Sequence, residues 1–145
     1  ALACRIDGHD SRVFVVLGDG ELGEGQVWEA CAAAHKYRVG RLTAIVDQNG
    51  YQQTGATADV LDLRPFDAKF AAFGWHTQTI NGNVMSEVVE ALETAVGITD
   101  RPTAIVAETQ KGFGILPVLE AAGDMNFHGK PLPPDIAEQA LAELG

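Results

Sequence analysis

Arg12-Val13-Phe14-Val15-Val16-Leu17-Gly18-Asp19-Gly20 is the stretch whose reading decides the fold. Its apolar part is continuous rather than alternating, which is the pattern of a strand covered on both faces in a parallel sheet. It stops on two glycines around a carboxylate. A helix is expected next, over about 26–38, with Val27, Ala30, Cys31, Ala34 and Tyr37 on one face. The pattern then repeats. Leu42-Thr43-Ala44-Ile45-Val46 reads as a second buried strand ending at Asp47-Gln48-Asn49-Gly50. Residues 51–64 are polar and turn-rich, a long loop.

Further along, 66–73 reads as a short helix between Pro65 and Gly74. A third strand is expected over 75–80. Ser86 is a candidate N-cap for a helix reaching Val96, with Val89, Leu92 and Val96 turned inward. Thr103-Ala104-Ile105-Val106-Ala107 is the fourth strand. Lys111-Gly112-Phe113-Gly114 is a glycine loop, residues 131–134 are proline-rich, and 136–144 is a last amphipathic helix. Ala1-Leu2-Ala3-Cys4-Arg5 reads as a helix tail closed by Asp7-Gly8. No N-cap precedes it, so a missing front segment is expected.

Alternation of strand and helix with short links predicts an α/β fold: an open, mostly parallel sheet with helices on both faces. Ligands of such sheets bind outside the carboxyl ends of the strands. Gly18-Asp19-Gly20, Asp47-Gln48-Asn49 and Gln110-Lys111-Gly112 all fall at those ends.

The 145 residues are expected to form a single domain, 46% apolar and 21% charged, near the globular average. No apolar run reaches the roughly 18 residues of a spanning helix. Twenty acidic residues against ten basic ones give a net charge of −10. Such a surface repels phosphate backbones, so nucleic acid and anionic membrane are not expected as partners. Any bound phosphate must be held by backbone N–H groups or through a cation. Cys4 and Cys31 form no CxxC pair and read as free thiols. With no secretory leader read at the start, a cytoplasmic location is expected.

Four of the sixteen glycines lie within residues 18–25. They allow close backbone approach to a ligand at a helix N-terminus, where an anion is favoured. The same segment carries Asp19, Glu21 and Glu24. Carboxylates beside a phosphate require an intervening cation. Magnesium fits, since it takes six oxygen ligands and commonly combines one or two carboxylates with substrate phosphates. Asp19 and Asn49 are 30 residues apart, one strand–helix–strand unit, so they can meet above neighbouring strand ends. On residue chemistry alone, a metal–phosphate site and a plain strand-to-helix turn both remain open.

Gly18-Asp19-Gly20, followed after 28 residues by Asn49, resembles the thiamine-diphosphate fingerprint. The longer runs Gly18-Asp19-Gly20-Glu21-Leu22-Gly23-Glu24-Gly25-Gln26-Val27-Trp28-Glu29-Ala30 and Asp47-Gln48-Asn49-Gly50-Tyr51-Gln52-Gln53-Thr54-Gly55 are similar to transketolases. Lys111-Gly112-Phe113-Gly114 and Phe127-His128-Gly129-Lys130-Pro131 resemble that family's glycine loop and His-Gly segment. Lys111 is closer to the two-subunit transketolases than to the single-chain ones. Asn81-Gly82-Asn83-Val84 departs from the family's Asp-Gly-His-Asp.

The resemblance implies a diphosphate-binding domain. Asp19, Asn49 and the backbone carbonyl of Tyr51 would ligate Mg²⁺ (or Ca²⁺), and Gly20 would donate its N–H to the diphosphate. Glu21, Lys111 and His128 would also belong to the cofactor site, with His128 the catalytic candidate. Glu24 and Glu29 would couple active sites across a subunit interface. The implied reaction moves a two-carbon ketol unit from a ketose to an aldose phosphate. It needs a partner subunit or domain that binds the pyrimidine, so an oligomer is expected. The alternatives are an inactive domain fragment or a component of another thiamine enzyme, such as a 2-oxo acid dehydrogenase.

Overall fold

The structure, a computed structural model, describes residues 1–124 and 128–145. Four strands form one parallel sheet: β1 (Val13–Gly18), β2 (Leu42–Gln48), β5 (His76–Asn81) and β6 (Thr103–Glu108), in the order β1-β2-β6-β5. The expected α/β architecture is present. The segment 51–64, expected as bare loop, instead folds into a two-residue hairpin, β3 (Tyr51–Gln52) and β4 (Gly55–Ala56), and a single helical turn, α3 (Thr57–Val60). Its polar side chains hide that regularity, because so small a hairpin has no apolar face to read.

Helices flank both faces. α1 (Leu2–Ile6) opens the chain and Gly8 turns it with φ 73°. On one face, α2 (Gly25–Lys36) and α4 (Phe66–Ala72) cover β2 and β6. Leu22, Cys31, Ala34, Ala44, Val46, Phe66, Phe70, Trp75, Ala104 and Val106 form the larger core there. Burial pushes the Cys31 thiol up to about 11, so it is inert at neutral pH. On the other face, α5 (Met85–Gly97) lays Ala91 and Ala95 on Ile105, with Leu92, Ile45 and Ile80 at the rim. Two more helices, α6 (Leu116–Asp124) and α7 (Pro134–Leu144), pack on each other near the end. α6 falls in a stretch with no sequence assignment.

Four further sequence expectations need correction. β1 is an edge strand, and Phe14, Val15 and Val16 are exposed rather than covered on both faces. A continuous apolar run reveals a preference for burial but not the neighbours that would supply it. On α5, Val89 and Val96 are exposed, and the inward stripe is Val88, Ala91, Leu92 and Ala95. The buried alanines let the helix axis lie close to the sheet, which turns the valines outward. On α2, Ala30 is likewise exposed, as is Tyr37 just past the end of the helix.

Ser86 does not cap α5 either. Val84 is the N-cap, and the Glu87 carboxylate accepts the Asn81 N–H at 2.8 Å. The Asn81-Gly82-Asn83 corner is held by hydrogen bonds of its own. Asn81 Oδ1 accepts from the Asn83 N–H at 3.0 Å, and Asn83 Oδ1 accepts from the Gln110 N–H at 2.8 Å. Just before α4, Arg64 donates from its guanidinium to Asp62, which holds that carboxyl well below the usual range. The pair is open to solvent and contributes little to stability.

Gly40 shows how closely the chain is threaded at the start of β2. It is buried, and a Cβ placed there would stand 1.9 Å from the Thr99 carbonyl oxygen. Backbone must move to admit it. Gly40→Ala is expected to cost roughly 1–3 kcal/mol or more, a fall in Tm of roughly 3–10 °C. A differential-scanning measurement within 1 °C of wild type would contradict that packing.

Candidate functional site

The parallel register sets Gly18 opposite Asp47, and Asp47 opposite Ala107, so the carboxyl ends of β1, β2 and β6 lie side by side. The chain leaves β1 through Asp19 into a single 3₁₀ turn, Gly20–Gly23, and then enters α2. The Trp28 indole N–H donates back to the Leu22 carbonyl at 2.8 Å and pins that turn to the helix.

Asp19 is held by three donors. It is only 4% exposed. Its Oδ1 accepts from the Gly20 N–H at 2.8 Å, and its Oδ2 accepts from the Gly50 N–H at 2.8 Å and the Thr57 hydroxyl at 3.3 Å. A buried carboxylate demands such donors. Gly50 reaches it because φ of 78° turns the backbone sharply after β2, a conformation open to glycine. The Asp19 carboxylate thus ties the end of β1 to the β2 loop, and Asn49 lies one residue before that tie.

Asn49 Oδ1 accepts from the Tyr51 N–H at 3.0 Å, and its Nδ2 donates to Asp47 Oδ2 at 2.9 Å. The Thr109 hydroxyl, just past β6, donates to Asp47 Oδ1. A cavity of about 480 Å³ opens over these residues, lined among others by Asp19, Gly20, Glu24, Asn49, Tyr51 and His128. Gly20 sits close under Gln52, where a Cβ would meet the Gln52 Cβ at 2.6 Å.

The structure therefore brings together Asp19, Gly20, Glu21, Glu24, Asn49, Tyr51 and His128 around one cavity. Glu21 turns its carboxylate back to the Gly18 N–H at 3.2 Å. The Gly20 N–H, expected for a diphosphate, is engaged by Asp19 Oδ1. Lys111 reaches the cavity through His128, its Nζ lying 3.3 Å from the His128 Nδ1. Glu29 is exposed on α2 and does not line the cavity. Phe127, quoted with the His-Gly segment, lies outside the described residues. Sequence reasoning assigned no role to Asp47, Thr57 or Thr109. Asp47 carried a signal, as the polar residue directly after the β2 apolar run. Thr57 and Thr109 carried none.

The donor set suits a hard cation. Asp19 and Asn49 offer carboxylate and amide oxygens, although among the described residues no group of three His, Cys, Asp or Glu converges as a metal site by itself. No described helix is long and apolar enough to cross a membrane.

Fold and cavity together define an α/β protein with a buried carboxylate, an amide and glycine-rich backbone at the carboxyl edge of a parallel sheet. Residues 5–145 match the family described as transketolase, thiamine diphosphate binding domain. The chain is 36% identical over 144 residues to the 6-deoxy-6-sulfo-D-fructose transketolase subunit of a Clostridium species, covering 99% of this chain and 51% of that protein. It is 38% identical over 144 residues to an apulose-4-phosphate transketolase subunit of Actinobacillus succinogenes, with the same coverage. Human transketolase is 40% identical over 133 residues, 92% of this chain and 20% of the human protein. A crystal structure of Pichia stipitis transketolase has the same fold, with a TM-score of 0.69 at 24% identity over 94% of this chain and 24% of that one. The chain belongs to the transketolase family, in its thiamine-diphosphate-binding domain. It spans about half the length of the subunit relatives and a fifth of the human protein.

Proposed function

We propose that this chain forms the diphosphate- and cation-binding half of a cytoplasmic transketolase, which moves a two-carbon ketol unit from a ketose to an aldose phosphate. The observation that carries the reading is that Asp19 and Asn49, from neighbouring strand ends, line one cavity.

In this reading Asp19, the Asn49 Oδ1 and the Tyr51 carbonyl hold Mg²⁺ (or Ca²⁺), and the cation screens the −10 protein from the diphosphate it must bind. Gly20 and Glu21 shape the backbone beneath the diphosphate. Bound thiamine diphosphate supplies the carbon nucleophile and the electron sink, while the protein supplies position. Lys111 contributes positive charge at the rim. His128, beside it, hydrogen-bonds the diphosphate or helps to move a proton at the substrate. Glu24 and Glu29, both exposed carboxylates, face a second protomer and couple the sites. A partner subunit or domain binds the pyrimidine end. Two relatives, each covered to about half its length, are themselves called subunits, which supports this division.

Reconstitution tests it. The chain, a transketolase pyrimidine-binding subunit, Mg²⁺ and thiamine diphosphate should together convert a ketose and an aldose phosphate into the two-carbon exchange products. If that subunit works with its own natural partner but not with this chain, across several ketose donors, the reading fails.

A further inference from the structure

Asp47 lines the cavity, and the functional reading gives its carboxylate no task. It ends the apolar run of β2, between Gly18 of β1 and Ala107 of β6. Its two oxygens serve different groups. Oδ2 accepts from the Asn49 Nδ2 at 2.9 Å, and Oδ1 accepts from the Thr109 hydroxyl. A carboxylate can only accept. The Asn49 amide must therefore turn its nitrogen toward Asp47, which sends Oδ1 to the opposite side. There Oδ1 takes the Tyr51 N–H at 3.0 Å and keeps a second lone pair.

An asparagine amide has two nearly isosteric orientations, and only one offers oxygen to a cation. We propose that Asp47 is a positioning residue that locks the Asn49 amide with its oxygen toward the cation, and that Thr109 steadies Asp47 from β6. The inference rests on Asn49 being a cation ligand. The Tyr51 N–H makes the matching demand at the other end of the amide, so loss of Asp47 leaves it held at one end only.

Isothermal titration of the full chain with Mg²⁺, at fixed thiamine diphosphate, tests the proposal. Circular dichroism and the ligand-free Tm report folding. Asp47→Leu should weaken Mg²⁺ binding about 10–100-fold, the usual effect of losing a group that orients a metal ligand. Asp47→Asn should stay within about threefold of wild type. Its carbonyl can still accept from Asn49, while its amide donates to the Thr109 hydroxyl. Wild-type affinity in Asp47→Leu overturns the proposal. So does Asp47→Asn binding as weakly as Asp47→Leu, since Asp47 would then act through charge alone. If Asp47→Leu lacks the wild-type spectrum, Thr109→Val carries the test. It should weaken Mg²⁺ about threefold, and no change overturns the role given to Asp47. A wild-type chain that takes up no Mg²⁺ overturns the cofactor reading, and this proposal with it. That outcome is distinct from wild-type binding that Asp47→Leu leaves intact.

Discussion

Asp19→Ala is expected to abolish the stabilisation that Mg²⁺ and thiamine diphosphate confer. A ligand at about 100 times its dissociation constant adds roughly 2.7 kcal/mol to the folded state, about 8 °C in a chain of this size. In Asp19→Ala the shift should vanish at every cofactor concentration tested. The ligand-free protein should also be weaker. The Gly20 N–H, the Gly50 N–H and the Thr57 hydroxyl all lose their acceptor. Each unsatisfied buried donor costs roughly 1–3 kcal/mol, less where water can enter, so a total of about 2–4 kcal/mol is expected. Asp19→Asn separates the two effects. It keeps an acceptor oxygen and the shape but loses the charge, so it should recover part of the Tm and none of the cofactor shift. If either variant shows a wild-type shift by differential scanning, Asp19 is no cation ligand.

The double duty of Asp19 explains why its position was legible in the sequence while much around it was not. A short carboxylate between two glycines, at the end of a β-branched run, satisfies turn geometry and ligand chemistry together. Both constraints are local. Asn49 was legible for the same reason, one strand–helix–strand unit later. The supports are non-local. Thr57 reaches Asp19 across 38 residues and Thr109 reaches Asp47 across 62. No periodicity marks a hydroxyl that matters only once two distant loops have met. His128 and Lys111 show the intermediate case. Each stood in a motif, but only the folded chain brings them together.

The fold divides the same way. Parallel direction follows from the alternation of apolar runs with helical stripes, and it survives in the structure; the order β1-β2-β6-β5 does not follow from that alternation. Burial of individual faces does not follow. The run at β1 and the run at β6 look alike as sequence, yet Thr103–Ala107 are all buried and Phe14–Val16 are all exposed. One strand is central and the other marginal, a property of topology rather than composition. The α5 stripe shifted by one residue for a related reason. An alanine-lined face permits closer approach to the sheet than the valine-lined face that hydrophobicity alone selects.

Phe70→Ala should be the most damaging single truncation in the core. Phe70 is 0% exposed and is among the largest fully buried side chains. Its ring centroid lies 5.4 Å from that of Trp28 and 5.4 Å from that of Trp75, both tilted, and Trp28 also stacks on Phe73 at 5.8 Å. Removing the ring forfeits its transfer free energy and leaves a cavity beneath both indoles. The cost should be about 3–5 kcal/mol, a large part of the roughly 5–15 kcal/mol that holds a domain folded. The effect should reach the site as well. Trp28 holds the Leu22 carbonyl, and through it the turn that carries Gly20. An unsupported Trp28 loosens that turn, so cofactor should also bind more weakly than in wild type. Urea titration followed by indole emission checks the first part: a lower midpoint with an unchanged slope, and a red-shifted native spectrum. Phe70→Leu, which keeps most of the volume, should retain more than half of the lost stability. If Phe70→Ala costs less than about 1 kcal/mol, the aromatic cluster is not the centre of the core, and the path from α4 through Trp28 to the cavity fails with it.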